Sequence, residues 1–79
     1  MDQKTREYYY SVILKMLEES KHGLRMQDFI MKFKCMNTPR YISSSRHRIA
    51  PILSELKKSG RITSIRHNYG NEYFLRTLK

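Results

Sequence analysis

Four side chains in this sequence have the chemistry to bind a transition metal or attack an electrophile: His22, Cys35, His47 and His67. A structural zinc needs thiolates or imidazoles at short spacings such as CxxC or HxxxH, because one turn or helical face must deliver two ligands together. Successive members here lie 13, 12 and 20 residues apart, so no such pair exists. Paired carboxylates for acid–base work are missing as well: Glu18 and Glu19 are adjacent, and a helix turns neighbours about 100° apart. The three glycines are scattered and form no loop that could cradle a phosphate. The chain is therefore expected to have no metal, no cofactor and no enzymatic activity, with Cys35 an ordinary small thiol.

Polar chemistry is concentrated in two other places. Ser43, Ser44, Ser45, Arg46, His47 and Arg48 set hydroxyl, guanidinium and imidazole groups in a row. Such groups hydrogen-bond phosphate oxygens and base edges, and arginine can hold guanine through two bonds at once. Arg66, His67, Asn68, Tyr69 and Asn71 form the second cluster, with donors for phosphate and one ring that can lie along a sugar. The formal net charge is +9, unevenly spread: residues 1–20 hold three basic and four acidic side chains, residues 21–79 thirteen and three. A field this one-sided gathers a polyanion beside the later part of the chain and leaves the first part free for another task.

The elements that must position these clusters can be read from periodicity. Tyr10, Ile13, Leu14 and Leu17 recur with the one-face period of a helix from about Lys4 to Ser20, with Asp2 as cap and Gly23 as a left-handed stop. "GLRM" can add an edge to a small sheet, and "MQDFIMKF" predicts a shorter second helix through Phe29, Ile30 and Phe33. Asn37, Thr38 and Pro39 make "KCMNTPRYIS" a loop. A third helix then runs from the serines to Gly60, its stripe formed by Ile49, Ile52, Leu53 and Leu56. "RITSIRH" and "EYFLR", joined by "NYGN" with Gly70 able to take positive φ, predict a hairpin.

This order, with "IAPILSELKKSGRI" followed by "NEYFLR", resembles the winged helix-turn-helix family over nearly the whole chain. The expected fold is thus α+β, a single domain over residues 1–79 with three helices, a small antiparallel sheet and a C-terminal β-hairpin wing; Ile62, Ile65, Tyr73 and Leu75 would be its inward strand residues. The resemblance implies sequence-specific binding of double-stranded DNA, with the third helix in the major groove and the wing on the backbone or minor groove beside it. Ser44, His47, Arg48, Pro51, Ser54 and Lys58 then point outward, with Arg46 at the flank. Arg40, Lys32 and Lys34 are candidate backbone clamps. One departure is the long segment between the second and third helices, where a compact helix-turn-helix uses about three or four residues.

Pro51 leaves two starts open for the third helix: near Ser45 with a bend at the proline, or near Ala50 with the proline as its first residue. Tyr8, Tyr9, Val12 and Met16 widen the apolar coverage of the first helix, which suits a homodimer contact. They also suit an alternative function, a protein-docking adaptor acting through that helix, whereas RNA reading lacks the exposed aromatic sheet of single-strand binders. No run reaches the roughly 18 apolar residues of a membrane span, the first residues lack a signal peptide's apolar centre, and a lone cysteine accords with a reducing compartment. A small cytoplasmic transcriptional regulator or DNA accessory protein is the resulting expectation.

Overall fold

The computed structural model of the protein describes residues 2–20 and 22–76. Helix α1 spans Gln3–Glu19 and opens on Asp2, whose carboxylate accepts a hydrogen bond from the Thr5 N–H at 2.8 Å. Hydrogen bonds from Thr5 hold that carboxyl below its usual range. The helix ends at Ser20 in extended conformation, and Gly23 is not among the positive-φ glycines. The expected left-handed stop is therefore corrected: what requires glycine at 23 is the Glu72 side chain, on which a Cβ would collide.

The buried stripe of α1 is Tyr9, Ile13 and Leu17: Ile13 and Leu17 are buried as the periodicity predicts, whereas Tyr9 takes the place expected for Tyr10, which is half-buried beside it with Leu14. Tyr9 is 0% exposed, so its expected place on a partner surface is overturned. Three consecutive tyrosines satisfy the same local pattern, and only the packing decides which turns inward. Its ring lies 5.1 Å from that of Phe33. Its hydroxyl donates to the Ser43 carbonyl and accepts from the Ser43 N–H, both at 2.8 Å.

Strand β1, Leu24–Arg25, leads directly into helix α2, Met26–Cys35. The Asp28 carboxylate accepts from the Arg25 N–H at 2.8 Å and caps that start. Lys32 and Lys34 in the last turn suit the negative end of the helix dipole and carry α2 two residues past the expected segment. Residues 36–45 are irregular and are pinned by buried Ile42 and by the Tyr9 bonds to Ser43.

Helix α3, Arg46–Lys58, follows its N-cap Ser45, so the alternative start at Ala50 is overturned. Pro51 is its sixth residue and points outward, opposite buried Ile49, Ile52, Leu53 and Leu56. It can offer no N–H to the His47 carbonyl, and His47 itself is an exposed residue. The far end closes as a Schellman motif: Gly60 takes φ 81, its N–H bonds the Lys57 carbonyl, and the Arg61 N–H reaches that of Leu56.

Strands β2, Ile62–His67, and β3, Gly70–Leu75, form a hairpin, and the three-stranded antiparallel sheet runs β1-β3-β2. His67 pairs with Gly70, so the loop is Asn68 and Tyr69; neither has positive φ, and Gly70 absorbs the reversal with φ 124. The register puts Leu24, Ile62, Ser64, Tyr73 and Leu75 on the helix side and Arg25, Thr63, Ile65, Glu72 and Phe74 on the other. Ile65, expected inside, is 52% exposed because it stands three residues from Ile62, an odd step that reverses the face, and Leu75, also expected inside, is exposed at the end of β3 although its register is that of the helix side. The Tyr10 hydroxyl donates to Glu55 Oε2 at 2.6 Å and ties α1 to α3. None of the described helices is long and apolar enough to cross a membrane.

Two outcomes follow from these tethers. Tyr9→Phe leaves both backbone groups of Ser43 without their partner, and urea unfolding is expected to show a loss of about 1–3 kcal/mol. Burial and the bond to Glu55 raise the Tyr10 phenol above 10.0, so its contribution is complete below about pH 10 and is lost as pH rises through the raised value. A Tyr10→Phe variant should show a smaller loss of stability than wild type on passing from neutral to alkaline buffer, read by the same unfolding assay.

Candidate nucleic-acid interface

The N-terminal ends of α2 and α3, strand β1 and the β2–β3 hairpin surround a groove of about 450 Å³. Arg25, Gln27, Arg46, Ala50, Tyr69 and Asn71 line it, with Met26, Gly70 and Tyr73 completing the walls. Each polar residue arrives on a different element. Arg46 is the first residue of α3, placed there by the Ser43 backbone bonded to Tyr9. Gln27 lies in the first turn of α2, whose start Asp28 caps.

The hairpin tip is held by a relay of side chains. Arg25 Cζ lies 4.0 Å from the centre of the Tyr69 ring, a cation–π contact. The His67 ring stacks on Tyr69 at 4.8 Å and 5°. His67 Nε2–H donates to Glu72 Oε1 at 2.8 Å, and Glu72 stands opposite Arg25 in the β1–β3 register with its stem over Gly23. Tyr69 remains 57% exposed at the tip.

Charge around the groove is set by where the carboxylates go. The later part of the chain has only Asp28, Glu55 and Glu72. Asp28 caps α2, Glu55 takes Tyr10 and lies 3.6 Å from Arg6 Nε, and Glu72 holds His67. Among the described residues no carboxylate pairs with Arg25, Arg40, Arg46, Arg48, Lys57, Lys58 or Arg66. The cationic field over α3 and the hairpin is uncompensated at short range.

The residues expected to bind divide into three groups. Arg46, Tyr69 and Asn71 line the groove. Ser45, His47, Arg48 and Pro51 are exposed along the first two turns of α3, and Arg66 and Asn68 are exposed on the hairpin. Ser43 and Ser44 are half-buried, the Ser43 backbone being occupied by Tyr9, and Arg40 is exposed in the preceding segment. Lys58 is exposed too, but at the far end of α3, about 18 Å along the axis from Arg46 at 1.5 Å per residue. His67, expected as a free donor, is half-buried and spends Nε2 on Glu72. Arg25 and Gln27 were missed. The signal available for them was the N-terminus of α2 and the edge-strand reading of "GLRM", which together put both beside the hairpin.

Comparisons with protein-family models, curated proteins and solved structures find no match. The relay at the hairpin tip is itself testable. His67→Ala removes the stacked ring, and the Tyr69 ring protons should lose their ring-current shift in a proton NMR spectrum while core resonances stay in place.

Proposed function

We propose that this chain is a winged helix-turn-helix protein that binds double-stranded DNA sequence-specifically, as a small transcriptional regulator or DNA accessory protein. The observation that carries this reading is the convergence of Arg46 at the head of α3 with Tyr69 and Asn71 of the hairpin on one groove, in a region where no carboxylate among the described residues forms an ion pair with the exposed arginines. In this reading α3 lies in the major groove. Arg46 and Arg48 address guanine edges or the flanking phosphates, and the exposed ring of Pro51 meets a thymine methyl, an apolar feature of the major groove alone. The hairpin is the wing, with Arg66, Asn68, Tyr69 and Asn71 on the adjacent backbone or minor groove. Arg25 serves from behind by fixing Tyr69 and by adding charge beside the strand that passes between helix and wing.

An adaptor that docks on another protein through α1 is the competing reading. The burial of Tyr9 removes one of the anchors it was built on.

Selection from random duplexes, followed by anisotropy titration of the enriched site, tests the proposal. Affinity should fall steeply with salt, as expected for several neutralised phosphates. The double variant Arg46→Ala/Arg48→Ala should lose about 1–3 kcal/mol for each base contact removed. Enrichment of no sequence, or unchanged binding by the double variant, would overturn it.

A further inference from the structure

We propose that the free edge of strand β2 takes up an extended segment of another protein, one that alternates carboxylates with β-branched residues and adds to the sheet as a further strand. This goes beyond DNA binding and stands on other atoms, with Arg66 the one residue both readings use. The sheet order β1-β3-β2 leaves β2 with a neighbour on one side only. The Arg76 N–H bonds the Arg61 carbonyl at 3.0 Å, and the register from Ile62–Leu75 to His67–Gly70 continues from that pair without a bulge. Antiparallel bonding alternates along a strand, so Thr63, Ile65 and His67 face β3, while the N–H and C=O groups of Ile62, Ser64 and Arg66 turn outward. Among the described residues no other element bonds these outward groups. Such edges are usually blunted by proline, a bulge or short length, and β2 has none of these over its six residues.

The chemistry of the edge selects its occupant. Donors and acceptors alternate along it, and a second peptide backbone answers both, whereas a phosphodiester has acceptors only. Alternate side chains of the added strand meet two unlike faces. On the face away from the helices stand Thr63 and Ile65, the latter 52% exposed, with Phe74 half-buried on the next strand; these fit valine, isoleucine or threonine. On the helix side stand Ser64 and exposed Arg66, and Lys57 of α3 lines a depression of about 190 Å³ together with Ser54 and Ser64. Neither cation pairs with a carboxylate among the described residues, so this side fits glutamate or aspartate. A second copy of the chain is the poorer fit: it would bring another Lys57 beside the same Ser64 and set a net charge of +9 against +9.

Amide hydrogen exchange read by NMR on the full chain provides the test, with a synthetic peptide of about seven residues that alternates glutamate and valine and is long enough to span β2. At saturating peptide, exchange at Ser64 and Arg66 should slow by about tenfold, while Thr63 and Ile65, already bonded to β3, keep their rates. The same peptide with lysine for glutamate should leave all four unchanged. Lys57→Glu, exposed on α3 and off the strand, should weaken binding of the glutamate peptide by about fivefold. Ser64→Pro removes an outward N–H and no bond of the β2–β3 ladder, and should abolish the protection at Arg66. Should that variant fail to fold, Lys57→Glu still decides. Unchanged exchange at Ser64 and Arg66, equal protection by the lysine peptide, or an affinity indifferent to Lys57→Glu overturns the proposal. So does protection that grows with protein concentration and needs no peptide, or protection by a DNA duplex and not by the peptide. The peptide titration contains no DNA, so its outcome and that of the DNA reading are told apart.

Discussion

The hydroxyl of Tyr9 is the constraint on which the useful geometry rests. Ten irregular residues separate α2 from α3, long enough that their ends would otherwise be loosely related. The ring is clamped in the core against Phe33, and its oxygen satisfies both backbone groups of Ser43, two residues before the cap of α3. A buried polar group left unpaired is costly, so this arrangement is stable only with the segment in register. The direction in which Arg46 and Arg48 leave the molecule is thereby tied to α1, an element remote from them in sequence.

The same economy governs the hairpin. Its tip is a two-residue loop, a place where a chain is ordinarily mobile, yet it is braced from Glu72 through His67 to Tyr69 and from β1 through Arg25. Carboxylates in the later part of the chain serve as structural acceptors and not as counter-charges for the exposed arginines. One small set of side chains thus accounts for both a shaped groove and an uncompensated positive field.

Much of this was legible from residue order. The element sequence, the Asp2 cap, the stop of the third helix at Gly60, the positive φ of Gly70 and the outward position of Pro51 all depend on local chemistry, which a linear pattern carries. Failures came where the deciding partner is remote. Tyr9 and Tyr10 both lie within helical reach of the Ile13 and Leu17 face, and the packing on Phe33 and the bonds to Ser43 decide for Tyr9. Ile65 has an inward residue's character but the wrong parity with Ile62. The edge-strand character of "GLRM" puts Arg25 beside the hairpin, but its register with Glu72 is set by the pairing of β1 with β3 and is not written in the local sequence. Pro51 posed the sharpest ambiguity: the helix starts at Arg46 after Ser45 and runs through the proline, whose ring stands on the exposed side away from Ile49, Ile52 and Leu53.

Gly23 shows how far such remote dependence reaches. Its φ lies outside the positive range, whereas Gly60 and Gly70 hold positive φ that side-chain-bearing residues rarely adopt. Position 23 is constrained instead by a neighbour, because a methyl there falls on the Glu72 side chain and would force it to move. Across sequences that share this architecture, drift at 23 should be coupled to drift at 72, and through it to the ring pair at 67 and 69. A residue with no side chain would then leave a covariation signature almost fifty positions downstream.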